Sequence, residues 1–348
     1  MMASNVLVTC GGTAVGLVLQ LQGTLRGVPA LRGGGVFVAD QAPTPPAASF
    51  ADATFVVPPV EHHAYVDHLL DLCRRHAVRV LIPIMDIDLE RLAPHRCRFA
   101  DDATSVVCPP PGLVELCLDK RLFEAFARNE GLAYPATYGA DALVPEMFPV
   151  FAKRRRGFGS IGAAICRSPG EAQAALARYP DLIFQEVIAG PELSVDAYIS
   201  AQGRCTVRVP RVRDKVIGGE AQQSHTVRSA PVARLADRTI EALARCGLRG
   251  PLNVQLFGGD RPTLVEVNTR LGSGCVLSNV ATDGRLFRSI VQEACRDTST
   301  GDPDDYRASL YLCRYLGDVI HDGARPVASF PPSPKGVHDD SGRPVRSG

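Results

Sequence analysis

The sequence has no apolar run of about 18 residues, the length that a membrane-spanning helix needs. Its N-terminus also has no basic segment before the first apolar stretch, so it is not typical of a secretory signal. An excess of charge of one sign is missing as well, because 38 Lys and Arg oppose 37 Asp and Glu. Nucleic acid and anionic membranes are therefore not expected partners. The composition, 45% hydrophobic and 22% charged, predicts a soluble, cytoplasmic globular protein.

Cysteine motifs are missing, although cysteine itself is abundant. The 11 cysteines include no CxxC pair and no Cys/His cluster with zinc spacing. They are expected to be reduced thiols packed as small apolar residues. The chain also has no Walker A motif and no Ser/His/Asp or Cys/His constellation. A protein nucleophile is therefore not expected.

The most informative stretch that is present covers residues 252–274, LNVQLFGGDRPTLVEVNTRLGSG. Apolar and polar residues alternate on both sides of a Gly-Gly-Asp-Arg-Pro turn, which predicts two antiparallel strands. Alternation puts three polar residues on the same face of the second strand as Leu264: Glu266, Asn268 and Arg270.

This polar face has the composition of a magnesium and phosphate site. The predicted register puts Gln255 opposite Glu266, and Asn268 follows two residues later. Carboxylate and amide oxygens are hard ligands that suit Mg²⁺, and Arg270 adds positive charge for a transferring phosphoryl group. The alternative is an edge hairpin with a solvated outer face. The four polar residues, followed by a flexible Gly-Ser-Gly, favour the functional interpretation.

The first 40 residues predict the opening of a doubly wound α/β unit. An apolar strand, the glycine turn GGTAVG and a helical pattern follow one another, and a second strand ends on Asp40. The turn is spaced GGxxxG instead of GxGxxG, so structural packing is favoured over NAD binding, which stays an alternative. After a further strand over residues 78–84, Asp86, Asp88 and Glu90 are interpreted as a solvated helix start in preference to a substrate contact.

A second concentration of charge follows a predicted strand over residues 148–153. The strand leads from Lys153 into three arginines and a glycine-rich loop, RRRGFGSIG. Four consecutive cations beside the backbone N–H groups of such a loop predict a flexible cover for phosphates. A solvated basic turn is the alternative. The magnesium site predicted at Glu266 favours the phosphate cover, because the two together would make both halves of a phosphate site.

The rest of the chain predicts an α+β core and a tail. A helix is expected over residues 113–130, where it carries Asp119 and Lys120. Residues 306–316 are expected to close the core. The Pro-, Ser- and Gly-rich end, residues 331–348, is expected to be disordered.

In this order and spacing, the motifs resemble those of the ATP-grasp superfamily, and within it the branch that is similar to carbamoyl phosphate synthetase and to small-molecule carboxylate–amine ligases. The resemblance covers residues 5–297 and rests on Asp119-Lys120, the loop over 153–162, the segment 185–192, and the pair NVQLF and VEVNTR. It implies an α/β and α+β fold, with an N-terminal Rossmann-like pre-ATP-grasp domain before an ATP-grasp fold of two α+β subdomains. The implied boundaries are 1–112, 113–317 with subdomains 113–187 and 188–317, and a flexible tail over 318–348.

By this resemblance, the same segments bind ATP and a metal. Magnesium or manganese is implied to be held by Gln255, Glu266 and Asn268, although Gln255 stands where many relatives have an acid. Arg270 and Lys153 are implied to be catalytic, through the charge they place on the transferring phosphoryl group. The residues implied to contact ATP are Lys120, Lys153, Gly157, Gly159, Ser160, Gly162, Glu186, Val187, Ile188, Glu192 and His225.

The resemblance implies an ATP-dependent ligase that activates a small carboxylic acid, such as an amino acid, as an acyl phosphate. An amine then reacts to form an amide, and ADP and phosphate are released. The implied partners are the carboxylate and amine substrates and, by the family, a second copy of the chain in a homodimer. Three alternatives remain: an NAD-dependent oxidoreductase, a nucleotide-binding module without turnover, and an acid kinase that releases the acyl phosphate.

Overall fold

The structure is a computed structural model that describes residues 4–157, 159–322 and 325–330. Its strands are, in chain order, β1 Asn5–Thr9, β2 Val36–Asp40, β3 Ala53–Val56, β4 Val78–Pro83, β5 Ser105–Val106, β6 Thr137–Tyr138, β7 Val150–Arg154, β8 Ala164–Cys166, β9 Leu182–Glu186, β10 Glu192–Ile199, β11 Cys205–Ile217, β12 Glu220–Thr226, β13 Gly250–Phe257, β14 Thr263–Asn268, β15 Tyr311–Cys313, β16 Asp318–Asp322 and β17 Arg325–Phe330. Its α-helices are α1 Val15–Leu25, α2 Tyr65–Arg75, α3 Asp86–Leu92, α4 Arg96–Asp101, α5 Pro111–Leu118, α6 Lys120–Asn129, α7 Pro169–Arg178, α8 Ala230–Arg245, α9 Cys275–Ala281 and α10 Arg285–Ala294.

Two compact units make up the described chain. The N-terminal unit contains residues 4–108, 284–299, 314–322 and 325–330, and the second unit contains 109–157, 159–283 and 300–313. The division differs from the implied one in α10, which returns to the N-terminal unit and packs against α1 and β4. The reason is the apolar face of α10, which buries Leu286, Phe287 and Ile290.

The N-terminal unit is built on a parallel five-stranded sheet with the order β3-β2-β1-β4-β5. The central strand β1 is apolar along most of its length, and Val6, Leu7 and Val8 are fully buried. Strands of parallel sheets are covered on both faces, which explains a continuous apolar run in place of alternation. The predicted α/β architecture of this part of the chain is confirmed.

The glycine turn after β1 is closed by Asp40 at the end of β2. One carboxylate oxygen accepts a hydrogen bond from the backbone N–H of Gly12 at 2.8 Å, and the other accepts from Ala42 at 2.9 Å. A Cβ on Gly12 would lie 2.6 Å from the Asp40 carboxylate, so this close approach requires glycine. Because one oxygen of Asp40 binds the glycine turn and the other binds the backbone just after β2, the arrangement of Asp40 favours structural packing over a ribose contact.

Of the three acids that follow β4, Asp86 and Asp88 are buried and Glu90 is exposed, so the prediction of a solvated helix start was wrong for the first two. Asp86 and Asp88 lie in the first turn of α3, and Asp88 is fully buried. Thr9 Oγ1 and the Tyr65 hydroxyl both donate hydrogen bonds to the Asp88 carboxylate, the latter at 2.8 Å. These donors come from β1 and α2, which are distant in sequence, so the local pattern around Asp88 does not reveal them.

Asp88 makes the stability of the N-terminal unit depend on pH. Burial raises the pKa of this carboxyl from 3.8 to about 6, although hydrogen bonds from Thr9, Tyr65 and Cys10 lower it. Between these two values the folded protein binds more protons than the unfolded chain, so its stability falls as the pH rises through that window. Above the window the whole contribution, on the order of 3 kcal/mol, is lost.

We expect Asp88→Asn to remove this loss, because an amide does not ionise. The free energy of unfolding of the variant, minus that of the unaltered protein, should therefore be larger at about pH 7 than at about pH 4. Urea unfolding at both pH values, followed by circular dichroism, measures the difference. Asp101→Asn is the control, since Asp101 is an exposed acid of the same unit. An identical pH dependence for Asp88→Asn and the unaltered protein would contradict the prediction.

The second unit contains an antiparallel sheet with the order β14-β13-β10-β11-β12-β15. One face is apolar and packs against α5, α6 and α8, with Val195, Val254 and Val267 in its core. Because successive side chains of a strand point to opposite faces, the other face collects polar residues, which we call the polar face. Its members are Ser194, Asp196, Arg211, Arg213, Asn253, Gln255, Glu266 and Asn268.

A smaller antiparallel sheet, with the order β6-β9-β7-β8, comes before the large sheet in the chain. Helix α7 covers this sheet, and Ala172 of α7 shares a hydrophobic core with Val150 of β7 and Phe184 of β9. The strand predicted before Lys153 is confirmed as β7. The second unit thus contains two α+β parts, which confirms the fold class implied by the resemblance.

The helix expected over residues 113–130 is divided into α5 and α6, so the prediction of one helix was wrong. Asp119 separates the two, with an extended backbone of φ −93° and ψ 109°. Its side chain accepts hydrogen bonds from the backbone N–H groups of Arg121 and Leu122, which caps α6. The cap places Lys120 at the first position of α6.

The end of the second unit closes the core less completely than the sequence predicted. Tyr306 is buried and donates to the carbonyl of Val227 at 2.9 Å. Tyr311 is 71% exposed, because β15 is the edge strand of the large sheet, and Leu316, which follows β15 and is assigned to the N-terminal unit, is 99% exposed. In the segment assigned to a flexible tail, β16 and β17 pair as an antiparallel ribbon. The disorder predicted for residues 331–348 lies outside the described residues.

Candidate active site

The hairpin of β13 and β14 has the predicted register at its polar end. Gln255 pairs with Glu266, which confirms the prediction, and Asn253 pairs with Asn268. Residues that face each other in an antiparallel pair lie on the same side of the sheet. The hairpin therefore brings two amides of β13 beside the acid and the amide of β14.

A bulge at Val265 interrupts the hairpin beyond this pair. Leu256 pairs with Leu264 and skips Val265, so Leu264 lies on the apolar face. The prediction that Leu264 shares a face with Glu266 was therefore wrong. At the bulge, the carbonyl of Val265 accepts a hydrogen bond from Lys153 Nζ at 3.3 Å. The irregularity thus fixes the lysine of β7 beside the hairpin.

Lys120 lies at the start of α6 and is buried, as Lys153 is. Its Nζ is 3.5 Å from the carbonyl oxygen of Gly157, which opens the glycine loop. The backbone N–H of Lys120 donates to the carbonyl of Arg155 at 3.2 Å. The start of α6 therefore holds the chain that enters the loop and places an ammonium group beside it.

Glu266 is the anion at the centre of a charged cluster with Lys120, Lys153, Asn268 and Arg270. Burial would raise the pKa of Glu266, but the charges of Lys120 and Lys153 hold it below its ordinary value. Asn268 and Arg270 lower it further. Burial lowers the pKa of Lys153 to about 8, against the attraction of Glu266. The charged cluster thus contains an ionised carboxylate among cations.

Glu266 and Asn268 fit a divalent cation. Asn268 Nδ2 lies 3.4 Å from Glu266 Oε1, so a carboxylate and an amide, both hard oxygen donors, are adjacent. Arg270 follows on the same strand end and donates to the carbonyl of Leu271 at 3.1 Å. Among the residues that the structure describes, no group of three His, Cys, Asp or Glu forms a metal site. The donors therefore suit Mg²⁺ that takes its remaining ligands from phosphates and water.

The three arginines after Lys153 lie next to acids of the second unit. Arg154 Nε donates to Asp181 at 3.0 Å. Arg155 Nε donates to Asp119 at 2.8 Å, and Arg156 Nη1 lies 4.0 Å from the same carboxylate. The prediction that all four consecutive cations face a phosphate was therefore wrong, because the arginines are balanced by acids from other parts of the chain.

The glycine loop has left-handed backbone at three described positions. The φ angles are 64° at Gly159, 58° at Ser160 and 76° at Gly162. Backbone of this kind turns N–H groups into a concave surface that binds anions. A Cβ on Gly219, at the tip of the β11–β12 hairpin, would lie 3.0 Å from Gly159 Cα. The loop thus rests against that tip, while Gly157 contacts the lysine of α6.

The segment between β9 and β10 presents accessible residues. Glu186 and Val187 are exposed, and Ile188 is half-buried. Gly190 has a φ of 133°, and a Cβ there would lie 2.7 Å from the carbonyl oxygen of Gly258. The close crossing of these two segments therefore requires glycine. The residues predicted to contact adenine lie on this accessible segment.

His225 does not join the other predicted nucleotide residues. It pairs with Val212, whose side chain packs against the core on the apolar face. His225 Nδ1 contacts Asp214 Oδ2 at 2.7 Å, and its ring stacks on Tyr311 at 5.1 Å. Strand alternation therefore puts it on the side of the sheet opposite Arg213, and its prediction as a nucleotide contact is corrected.

Sequence reasoning missed a buried network around Asp196. One carboxylate oxygen accepts from Arg211 Nε at 2.8 Å and from Ser278 Oγ at 2.6 Å. The other accepts from Asn253 Nδ2 at 2.6 Å. A Cβ on Gly274 would lie 2.4 Å from Arg211 Cζ, so the turn before α9 lies directly on the guanidinium. The network joins β10, β11, β13 and α9 next to the charged cluster.

Two family profiles match the chain. The profile described as PylC-like, N-terminal domain matches residues 6–107. The profile described as ATP-grasp domain matches residues 117–274, which include the whole charged cluster and the glycine loop. The chain therefore contains an ATP-grasp domain over residues 117–274. This ATP-grasp protein thus has a PylC-like domain before its ATP-grasp domain, as the N-terminal α/β sheet and the two α+β parts indicate.

Solved structures with the same fold include three ATP-grasp proteins. Biotin carboxylase from Campylobacter jejuni, in a β-γ-ATP complex, is 14% identical over 88% of this chain and 74% of its own, with a TM-score of 0.69. The L-amino acid ligase from Bacillus licheniformis is 17% identical over 84% and 74%, with a TM-score of 0.64. The dimeric biotin carboxylase domain of Hydrogenobacter thermophilus 2-oxoglutarate carboxylase, in complex with MgADP, ADP and bicarbonate, is 14% identical over 89% and 74%, with a TM-score of 0.68.

Two further findings are negative. No curated protein sequence is significantly similar to this ATP-grasp protein. Within residues 4–157, 159–322 and 325–330, no helix combines the length and the apolar character needed to cross a membrane.

Proposed function

We propose that this protein is an ATP-dependent carboxylate–amine ligase. The observation that supports the proposal most strongly is the charged cluster, in which ionised Glu266 lies beside Asn268 and among the cations Lys120, Lys153 and Arg270. A triphosphate needs both kinds of group. Its negative charge is balanced by lysine and arginine, and its metal is held by carboxylate and amide oxygens.

ATP is proposed to bind with its phosphates at the charged cluster. Lys120 and Lys153 contact the phosphates there, because both ammonium groups are buried beside the glycine loop and the hairpin. The proposed cover consists of Gly157, Gly159, Ser160 and Gly162. The residues proposed to contact the adenosine are Glu186, Val187, Ile188 and Glu192. His225 is left out because it lies on the other face of the sheet.

Magnesium or manganese is proposed to be held by Glu266 and Asn268. When bound, the ion would neutralise charge on the phosphates during transfer. Lys153 and Arg270 then act on the phosphoryl group as fixed cations. The carbonyl of Val265 holds Lys153 and the carbonyl of Leu271 holds Arg270, so neither side chain has to rearrange at the moment of reaction.

The proposed reaction has two steps. A carboxylate oxygen of the acid substrate attacks the γ-phosphorus, the bond to the β-phosphate oxygen breaks, and ADP leaves with the bonding electrons. An amine then attacks the carbonyl carbon of the acyl phosphate, phosphate leaves, and the nitrogen loses a proton. Neither step uses a protein nucleophile, in agreement with the absence of such a constellation from the sequence.

The comparisons support this proposal at the level of the fold. The L-amino acid ligase and the two biotin carboxylases share the arrangement of the chain, and two of these structures contain adenine nucleotides. One of the three is a dimer, which supports the proposal of a homodimer for this chain. The engagement of Asp40 by the glycine turn makes the alternative NAD site less suitable.

Mass spectrometry of nucleotides and products tests the proposal, after incubation with MgATP and pools of amino acids and small carboxylic acids. We expect ADP, phosphate and a condensed product whose mass identifies both substrates. AMP and pyrophosphate would contradict the acyl-phosphate mechanism. An acid kinase would release an acyl phosphate that hydroxylamine traps after the protein is removed. Bound but unconsumed ATP with every pool would indicate a binding module.

A further inference from the structure

Arg213 lies on the polar face between Glu192, a proposed contact of the adenosine, and Gln255, an implied metal ligand. Its side chain is 6% exposed. Nη1 donates to Glu192 Oε1 and, at 3.1 Å, to Gln255 Oε1, while Nη2 donates to the carbonyl of Gly219. Acceptors from β10, β13 and the β11–β12 hairpin thus hold the guanidinium in one place.

The tip of the β11–β12 hairpin also brings Arg213 close to the glycine loop. The carbonyl of Gly219 accepts from Arg213 Nη2, and a Cβ added to Gly219 would lie 3.0 Å from Gly159 Cα in the glycine loop. On its other side, the guanidinium contacts Gln255, the cross-strand neighbour of Glu266. Arg213 is therefore a fixed cation between the loop and the charged cluster.

The contact with Arg213 changes what Gln255 can do. A metal ion on the amide oxygen of Gln255 would share that oxygen with a guanidinium, and the two cations would repel each other. A glutamine adds no negative charge to offset this repulsion, whereas a glutamate would. Glu266 and Asn268 remain as the donors suited to a divalent cation.

We propose that Arg213 binds the nucleotide as a permanent positive charge in place of a metal ion at Gln255, so that the site takes one divalent cation per nucleotide. The inference rests on the proposed binding of ATP to the polar face. Arginine suits this role because its planar fork is always charged and offers several donors to phosphate and ribose oxygens. Arg213 then explains why a glutamine can stand at position 255, where many relatives have an acid.

Binding of the nonhydrolysable analogue adenylyl imidodiphosphate tests the inference, with and without Mn²⁺. Electron paramagnetic resonance of free Mn²⁺ counts the ions per bound nucleotide, and titration in EDTA gives the metal-free affinity. We expect one Mn²⁺ for the unaltered protein. Arg213→Gln should lower the metal-free affinity by at least about tenfold and the affinity with Mn²⁺ by less.

A double variant gives the sharpest result. Arg213→Gln combined with Gln255→Glu removes the cation and supplies a carboxylate, so the count should rise from one Mn²⁺ to two. Gln255→Glu alone is the matched variant, and its count should stay at one because Arg213 pairs with the new carboxylate. Arg261→Gln, at an exposed arginine in the turn after β13, controls for the loss of a positive charge.

Circular dichroism and thermal melting establish that each variant folds. Arg213→Lys keeps the charge without the fork and replaces Arg213→Gln if that variant unfolds; it should keep one Mn²⁺ and lose part of the metal-free affinity. Two Mn²⁺ in the unaltered protein, an unchanged metal-free affinity in the Arg213 variant, or one Mn²⁺ in the double variant would overturn the inference. No binding of the analogue by the unaltered protein would overturn the proposed function itself, and the inference with it.

Discussion

Replacing Glu266 with glutamine is expected to lower ATP turnover by roughly a hundredfold to ten-thousandfold, because a lost metal ligand removes several kcal/mol of transition-state stabilisation. The rate of ADP release in the presence of the substrate pool measures the effect. Affinity for metal-free ATP is expected to stay constant or rise, since the substitution removes an anion from among Lys120, Lys153 and Arg270. These opposite effects separate a metal-binding role from general damage to the site.

Glu241→Gln is the control for this prediction, because Glu241 is an exposed glutamate of α8 and not part of the charged cluster. Circular dichroism and the melting temperature establish that both variants are folded. A folded Glu266→Gln protein that keeps full ATP turnover would exclude Glu266 as a metal ligand, and with it the proposed mechanism.

Replacing Asp196 with alanine is expected to lower the free energy of unfolding by about 3–5 kcal/mol, because it leaves the buried Arg211 guanidinium without its counter-charge. Asn253 and Ser278 lose their acceptor in the same step. Urea unfolding curves measure the change. The effect is expected to be among the largest of any single substitution in the second unit, since few residues combine charge, burial and three donors.

Asp181→Ala is the matched control, because Asp181 also pairs with an arginine, Arg154, but both side chains are about 40% exposed. We expect a loss of less than about 1 kcal/mol there. Combining Asp196→Ala with Arg211→Met should recover part of the stability, since the second change removes the unpaired charge. A loss at Asp196 no larger than at Asp181 would contradict the account of the network.

Much of the fold was predictable because its signals are local. The continuous apolar run of β1 predicts a covered parallel strand, and the alternation around Gln255 and Glu266 predicts the hairpin register. Both depend on the side-chain period of one or two strands. The division of the helix at Asp119 also had a local signal, since an Asp just before a helical run is typical of an N-cap.

The candidate site was predictable where its residues follow one another in one motif, as Glu266, Asn268 and Arg270 do. It was not predictable where a contact joins distant segments. The pairing of Arg155 with Asp119 and the position of His225 depend on how separate strands and helices meet. Asp196 did have a local signal, a single acid within the apolar strand LSVDAYI, but its three donors are 15, 57 and 82 residues away.

By itself, the sequence determined the kind of elements, the order of the motifs and the chemistry of each candidate side chain, because these depend on residue type and on spacing along one strand or helix. The tertiary structure alone decided which cations remain with Glu266 and which are balanced by acids, that Val265 forms a bulge, and that Gln255 accepts from Arg213. The physical reason is that charge and hydrogen bonding act through space. Their effect on a residue is set by its neighbours in the fold, whatever their distance along the chain.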